Sequence, residues 1–246
     1  MSIKVIQSHR SPLPHSWLVD CLASVKAWSK HCGYHYEFVG DALFGYLPED
    51  IWLRQDISLV IKTDLARLKL AQSLLSQHDV VVWLDADVLV VNVDQFVLPT
   101  ASCAVGRENW QQLNDNGVLK NYRKVHNAAM LFTRNDSFLP FYADTAERLL
   151  RENTQSVPPQ FIGPKLLTAL HNVAQLPVWE SAGMLSPMAG LDIIGQGDGR
   201  ALKMLREKHQ EPINALNLCS SSVVRCDLSD ADMAKIIEKL LANKGI

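Results

Sequence analysis

Five apolar residues in a row, Val80, Val81, Val82, Trp83 and Leu84, run without a break into Asp85-Ala86-Asp87. A short run of β-branched and aromatic residues suits a strand buried on both faces, and such strands belong to sheets covered by helices on each side. The run is preceded by a helical pattern and followed by more extended sequence, Val88 to Val93. Along an extended chain, residues i and i+2 project to the same side, so Asp85 and Asp87 are expected to converge. Two converging carboxylates repel unless a positive charge sits between them. A hard divalent cation, completed by substrate phosphates, is the natural candidate.

The rest of the chain repeats the strand–helix rhythm. Ile3 to Ile6 predicts a first strand, followed by a polar loop, Gln7 to Pro14, well placed to meet a ligand. Leu18, Cys21, Leu22, Val25 and Trp28 recur at helical spacing between Trp17 and His31, and Gly33 closes that helix. Tyr34 to Val39 alternates as a second strand, and helical pattern returns from Ile51 to about Gln77 in one or two pieces. Beyond the aspartates, strands are expected at Ser102 to Gly106, Asn127 to Thr133 and Asn214 to Leu218. Helices are expected at Asp136 to Glu152, Lys165 to His171, Arg200 to His209 and Asp230 to Asn243. The polar segment Arg107 to His126 loses periodicity and reads as an irregular excursion beside the site, with disorder as the alternative. No repeat or linker divides the sequence, so residues 1–246 are read as one α/β domain: a mainly parallel central sheet of roughly seven strands with helices on both faces.

Charge and cysteine content narrow the function. A net charge of −2 provides no basic field for nucleic acid, which is excluded as a partner. No signal-like segment or run of about 18 apolar residues is present, so no transmembrane segment is expected; the location expected is cytoplasmic, with attachment to the inner membrane face as the lesser alternative. The five cysteines, Cys21, Cys32, Cys103, Cys219 and Cys226, lack the spacing of a metal or redox pair and read as reduced thiols. Trp110 and Trp179 are the better candidates for stacking on a base or sugar, and the other tryptophans named, Trp17, Trp28 and Trp83, read as core.

Asp64 and Arg67 stand three apart on a predicted helix, hence on one face. Lys62-Thr-Asp64-Leu-Ala-Arg67, an apolar strand and Asp85-Ala86-Asp87-Val88 together resemble the sugar-binding region of glycosyltransferases with a DXD motif. The likeness is to glycosyltransferase family 32 and its relatives in capsular polysaccharide synthesis. The opening IKVIQSHRSPLPHSW, with Gln7 and Arg10, resembles that family's first strand and turn. Gly163-Pro164-Lys165-Leu-Leu-Thr168 resembles its Gly-Pro element before a short helix. Asn214 to Ser222 resembles the closing strand, with Asn217 where relatives carry a metal-binding His and Cys219 where Trp is common. The paired glycines usual before the DXD strand are replaced by Ser76-Gln-His78-Asp79.

The resemblance implies a GT-A fold and a metal-dependent, retaining transfer of a hexose from a nucleotide-sugar, a UDP-sugar first, to a glycan, lipid-linked or protein acceptor. It implies that Gln7, Arg10, Lys62, Asp64, Arg67, Ala86, Gly163, Pro164 and Lys165 form the donor site with Asp85 and Asp87. Asp85, Asp87 and Asn217 would hold Mn²⁺ or Mg²⁺. Asn127, at a strand start, and Asp198, in the turn Gln196-Gly-Asp198-Gly, are the candidates for the anomeric centre. Two alternatives stand beside this reading. The sequence Asp85-x-Asp87-x-Leu89-Val90 also resembles the nucleophile motif of haloacid-dehalogenase-type phosphohydrolases, with Asp85 as nucleophile. Asn217 also fits a non-catalytic nucleotide-sugar-binding relative.

Overall fold

The computed structural model describes residues 1–153, 157–221 and 228–246; Ser222 and Cys226, singled out above, lie outside them. Strands β1 (Ile3–Gln7), β2 (His35–Phe38) and β3 (Val80–Leu84) are mutually parallel, with β1 between the other two. They extend into a central sheet of order β2-β1-β3-β6-β5-β7. Here β5 is Cys103–Leu113, β6 Leu119–Thr133 and β7 Val178–Trp179. Strand β6 is antiparallel to β3 and β5, whereas β7 is parallel to β5. All five residues of β3 are buried, as its unbroken apolar sequence predicts.

One face of the sheet presents Ile6, Val81, Trp83, Val105, Met130 and Phe132 to helices α3 (Leu59–Leu74) and α4 (Phe138–Glu152). The other face presents Val5, Val82 and Leu84 to Trp28 and Val25 of α1 (Leu18–His31) and to a second sheet. That second sheet has the order β4-β9-β8, from β4 (Val88–Val90), β8 (Ala182–Met184) and β9 (Ala215–Asn217). Its outer side, with α1, packs on α6 (Pro187–Ile193), α7 (Arg200–Lys208) and the helix Asp230–Ala242. The last of these starts on a reciprocal cap between Ser229 and Asp232, which satisfies backbone donors at its N-terminus. Two further helices are α2 (Glu49–Trp52), which sends Ile51 into the core under α3, and α5 (Leu166–Ala174), which packs beside β6.

The segment 107–126 differs from its expected irregularity. It forms the outer half of a long β5–β6 hairpin, paired in register from Gly106↔His126 to Leu113↔Leu119. Its polar residues alternate, and the turn is closed by Asn114, whose side chain accepts the N–H groups of Asn116 and Val118. The Asn-Gly dipeptide at 116–117, with Gly117 at φ 71°, is the local signal for such a turn. Apolar periodicity is absent because this half of the hairpin rises beyond the core.

Among the described residues no helix is long and apolar enough to cross a membrane, and Cys21, Cys32, Cys103 and Cys219 are free thiols.

Candidate active site

The two aspartates lie where the chain leaves the central sheet for the second one. Their convergence comes from a turn and not from an extended strand: the Val88 N–H donates to the Asp85 carbonyl at 3.0 Å, reversing the chain over Ala86 and Asp87. Two backbone bonds fix the turn, one on each side. The Asp85 N–H donates to the Ala128 carbonyl on β6, and the Leu218 N–H donates to the Asp87 carbonyl, 2.8 and 2.9 Å respectively. Gln7, fully buried at the end of β1, donates from its amide to the Asp85 carbonyl and accepts from the Tyr36 hydroxyl. The first strand therefore supports the aspartate turn from beneath.

Arg67 organises the side chains. Its guanidinium donates to Asp64 Oδ1 at 2.6 Å, to Asp85 Oδ1 at 2.9 Å and to the Asn127 carbonyl at 3.0 Å. It also lies over the Trp83 ring, 5.3 Å from the centroid, and the Trp83 indole N–H donates to the same Asp85 oxygen. Asp64 receives a second bond from the Asn127 amide. Burial pushes Asp64 up to about 6 against the pull of Arg67. Gly163 closes over this pair: a Cβ there would stand 2.3 Å from Asp64 Oδ2, so the Gly-Pro element approaches as only glycine allows.

Asp87 is raised in pKa by burial and by the neighbouring Asp85 charge. It accepts from the Asn217 amide at 2.5 Å and from the Ser220 N–H at 2.9 Å. Asn217 itself faces two ways. Its Oδ1 accepts the Cys219 N–H at 3.0 Å, a group that can only donate, so its NH₂ must face Asp87. In this arrangement the Asn217 oxygen faces Cys219, and its amide serves Asp87 as a hydrogen-bond donor.

These side chains separate two lobes of one cleft. The first, about 480 Å³, is lined by the Ser8–Arg10 loop, Leu43, Phe44, Leu59, Val60 and Thr63, and is largely apolar. The second, about 580 Å³, is the more polar of the two and is lined by Asp64, Asn127, Gln160, Pro164, Lys165 and Thr168 on one side and by Glu108, Trp110, Lys124 and His126 on the other. Arg67, Asp85 and Asp87 border both. The cleft opens at the carboxyl ends of β1 and β3. There the connections run to opposite sides of β1, the position where open α/β sheets bind ligands.

Other candidates take other places. Asp198 is exposed, ion-paired with Arg200 and outside both lobes, because its turn serves as the start of α7. Lys62 is buried, donating to the Trp52 carbonyl at 2.6 Å and lying over the Trp52 ring, so it braces α3 against α2. Trp179 stacks on Phe96 in the core. Glu108, Lys124 and His126 were not legible as site residues, because only the hairpin brings them to the cleft. His126 is buried with Nε2 at the Ala182 carbonyl and Nδ1 at the Ala128 N–H, and burial lowers it to about 4. This fixes a neutral imidazole that donates from Nε2.

The donor set fits a divalent cation in charge and incompletely in number. Arg67 pairs with Asp64 and Asp85, whereas Asp87 is held by the neutral Asn217 amide and the Ser220 N–H, so one guanidinium faces more carboxylate charge than it offsets. Among the described residues no group of three or more His, Cys, Asp or Glu side chains is placed to hold a metal. Two carboxylates with a diphosphate and water would complete the shell of such an ion.

The chain matches no family model and no curated protein sequence. Among solved structures it is similar to a glycosyltransferase involved in glycosylation of the major capsid of PBCV-1, at 12% identity and TM-score 0.53, covering 95% of this chain and 99% of that one. The two chains share one fold over nearly their whole lengths. Lesser likenesses are to the galactosyltransferase LgtC bound to donor and acceptor sugar analogues (14% identity, 96% and 95% covered, TM-score 0.49) and to mouse xyloside xylosyltransferase 1 (9%, 90% and 99%, 0.48).

Proposed function

We propose that this chain transfers a hexose from a nucleotide-sugar, UDP-sugars first, to a hydroxyl acceptor, with retention at the anomeric carbon. The observation that carries the reading is the position of Asp85 and Asp87 between an apolar and a polar lobe at the switch point of a GT-A sheet. The apolar lobe, with Phe44 and Val60, suits a nucleoside; the polar lobe, with Asp64, Asn127 and Lys165, suits a sugar.

The residues divide the work as follows. Arg67 and the Trp83 indole hold one oxygen of Asp85, and Gln7 holds its backbone, so this carboxylate faces the ligand without reorganising. Asn217 and the Ser220 N–H hold Asp87 in the same way. Mn²⁺ or Mg²⁺ bound by these two carboxylates would offset the charge that grows on the diphosphate as the glycosidic bond breaks. Arg10 in one lobe and Lys165 in the other add fixed positive charge to that leaving group. Asp64 and Asn127, locked to each other, orient sugar hydroxyls.

Isothermal titration with UDP- and GDP-sugars, with and without Mn²⁺, tests the reading. Micromolar binding of a UDP-sugar that is lost in Asp87→Ala supports it, and no nucleotide binding under any condition overturns it. Transfer or donor hydrolysis by the wild type separates an enzyme from a binding protein.

A further inference from the structure

We infer that the outer half of the β5–β6 hairpin is the acceptor subsite, and that it takes an uncharged sugar ring stacked on Trp110. The inference rests on the glycosyl-transfer reading above and goes on to name the acceptor class.

The strand register sorts the hairpin into two faces. Glu108↔Lys124, Trp110↔Tyr122 and Gln112↔Lys120 are directly opposed pairs, and they share one face. Glu108, Trp110 and Lys124 of this face line the polar lobe with the aspartates. The opposite face is fastened to the body of the protein. Arg107 pairs with Glu180 at 2.7 Å, Asn109 bonds the His209 ring at 3.0 Å, and Gln111 accepts from the Ser186 hydroxyl at 2.9 Å. One face is therefore anchored by buried polar bonds so that the other stands as a fixed wall. The Trp110 indole is further held by its N–H bond to Gln112 at 3.0 Å.

Distance places an acceptor here and the donor sugar nearer the aspartates. Asn127 sits beside Asp64 and Arg67, and Lys124 lies three positions away along the strand, roughly 10 Å outward. The composition of the wall matches a sugar: an aromatic face for the ring's C–H groups, flanked by a carboxylate, an ammonium and an amide for its hydroxyls. Charge argues for an uncharged ring. Glu108 and Lys124 oppose each other across the strands, and an acidic sugar would also meet the aspartates.

Binding of the full chain to a printed array of neutral and acidic glycans, in the presence of UDP, tests this, with UDP affinity by calorimetry as the control for fold and donor site. Expected is binding to neutral glycans, kept in Trp110→Phe, weakened about tenfold or more in Trp110→Ala and less in Tyr122→Ala, with UDP affinity unchanged in all three. Absence of glycan binding by a wild type that binds UDP overturns the inference, as does preference for acidic glycans or unaltered binding by Trp110→Ala. A wild type that fails to bind UDP overturns the glycosyl-transfer reading instead.

Discussion

The Asn217 amide nitrogen stands 2.5 Å from Asp87 Oδ1, and the oxygen of the same amide accepts the Cys219 N–H. A neutral donor thus steadies a buried carboxylate that burial and Asp85 otherwise push toward protonation. Asn217→Asp exchanges this donor for a second negative charge. We expect it to destabilise the metal-free protein by about 3 kcal/mol, from a lost charge-assisted bond plus repulsion. Added Mn²⁺ should recover more of the melting temperature in the variant than in the wild type. Equal Mn²⁺ shifts in a thermal melt would count against the arrangement.

Arg67 links three acceptors, on the turn after β3, on β6 and on its own helix. Arg67→Ala leaves Asp64 buried without its cation and should cost about 3–5 kcal/mol in urea unfolding. Arg67→Lys should recover only part of this, since one ammonium cannot keep the forked geometry. Full rescue by lysine would show that charge alone is needed.

Gly163→Ala brings a methyl group to 2.3 Å from Asp64 Oδ2 and 2.9 Å from the Asn127 amide nitrogen. The Gly-Pro segment must then lift or Asp64 must turn. A stability loss of about 1–3 kcal/mol is expected. A larger proportional loss of nucleotide-sugar affinity should accompany it, read by titration calorimetry. Unchanged affinity would separate this contact from ligand binding.

His126 gives a pH dependence with a definite sign. Its folded pKa, lowered to about 4 by burial, lies below the ordinary value of 6.5, so the unfolded chain binds the proton more readily. Stability from the neutral ring is full above pH 6.5 and is lost as pH falls from there toward 4, by roughly 3 kcal/mol at most. Asp64, raised to about 6, works in the opposite sense over much of the same window, because its folded form takes up the proton first. His126→Gln, whose amide can accept from Ala128 and donate to Ala182, isolates the histidine's share. Between pH 6.5 and 4 the wild type should lose stability more steeply than the variant in pH-stepped urea melts.

Legibility in the sequence followed physical range. The Val80–Leu84 strand announces itself, because burial on both faces demands an unbroken apolar run, and the helical periods of α1 and α4 are equally local. The Asp85–Asp87 pairing was visible, although a turn and not strand alternation produces it. Asn217 could be located by order along the chain, but its amide orientation depends on the Cys219 N–H, a backbone detail set by the left-handed conformation there, φ 52°. The hairpin wall was hidden because its anchoring is polar: Arg107, Asn109 and Gln111 leave no hydrophobic period to read. Asp198 misled because a Gly-Asp-Gly turn looks the same whether it caps a helix or meets a ligand.

The bulge between Val105 and Gly106 divides one pair of strands into unequal trades. Below it, Cys103 to Val105 and Ala128 to Phe132 are packed into the main core. Above it, the strands touch that core little, and a Cβ at Gly106 would strike the His126 ring at 2.2 Å. The joint itself and the anchored stretch Arg107 to Gln111 are therefore intolerant of change, while the exposed turn beyond them is free to vary. A descendant of this chain could trade its tip, from Leu113 to Val118, for one of different length or chemistry and keep the nucleotide end of the cleft intact.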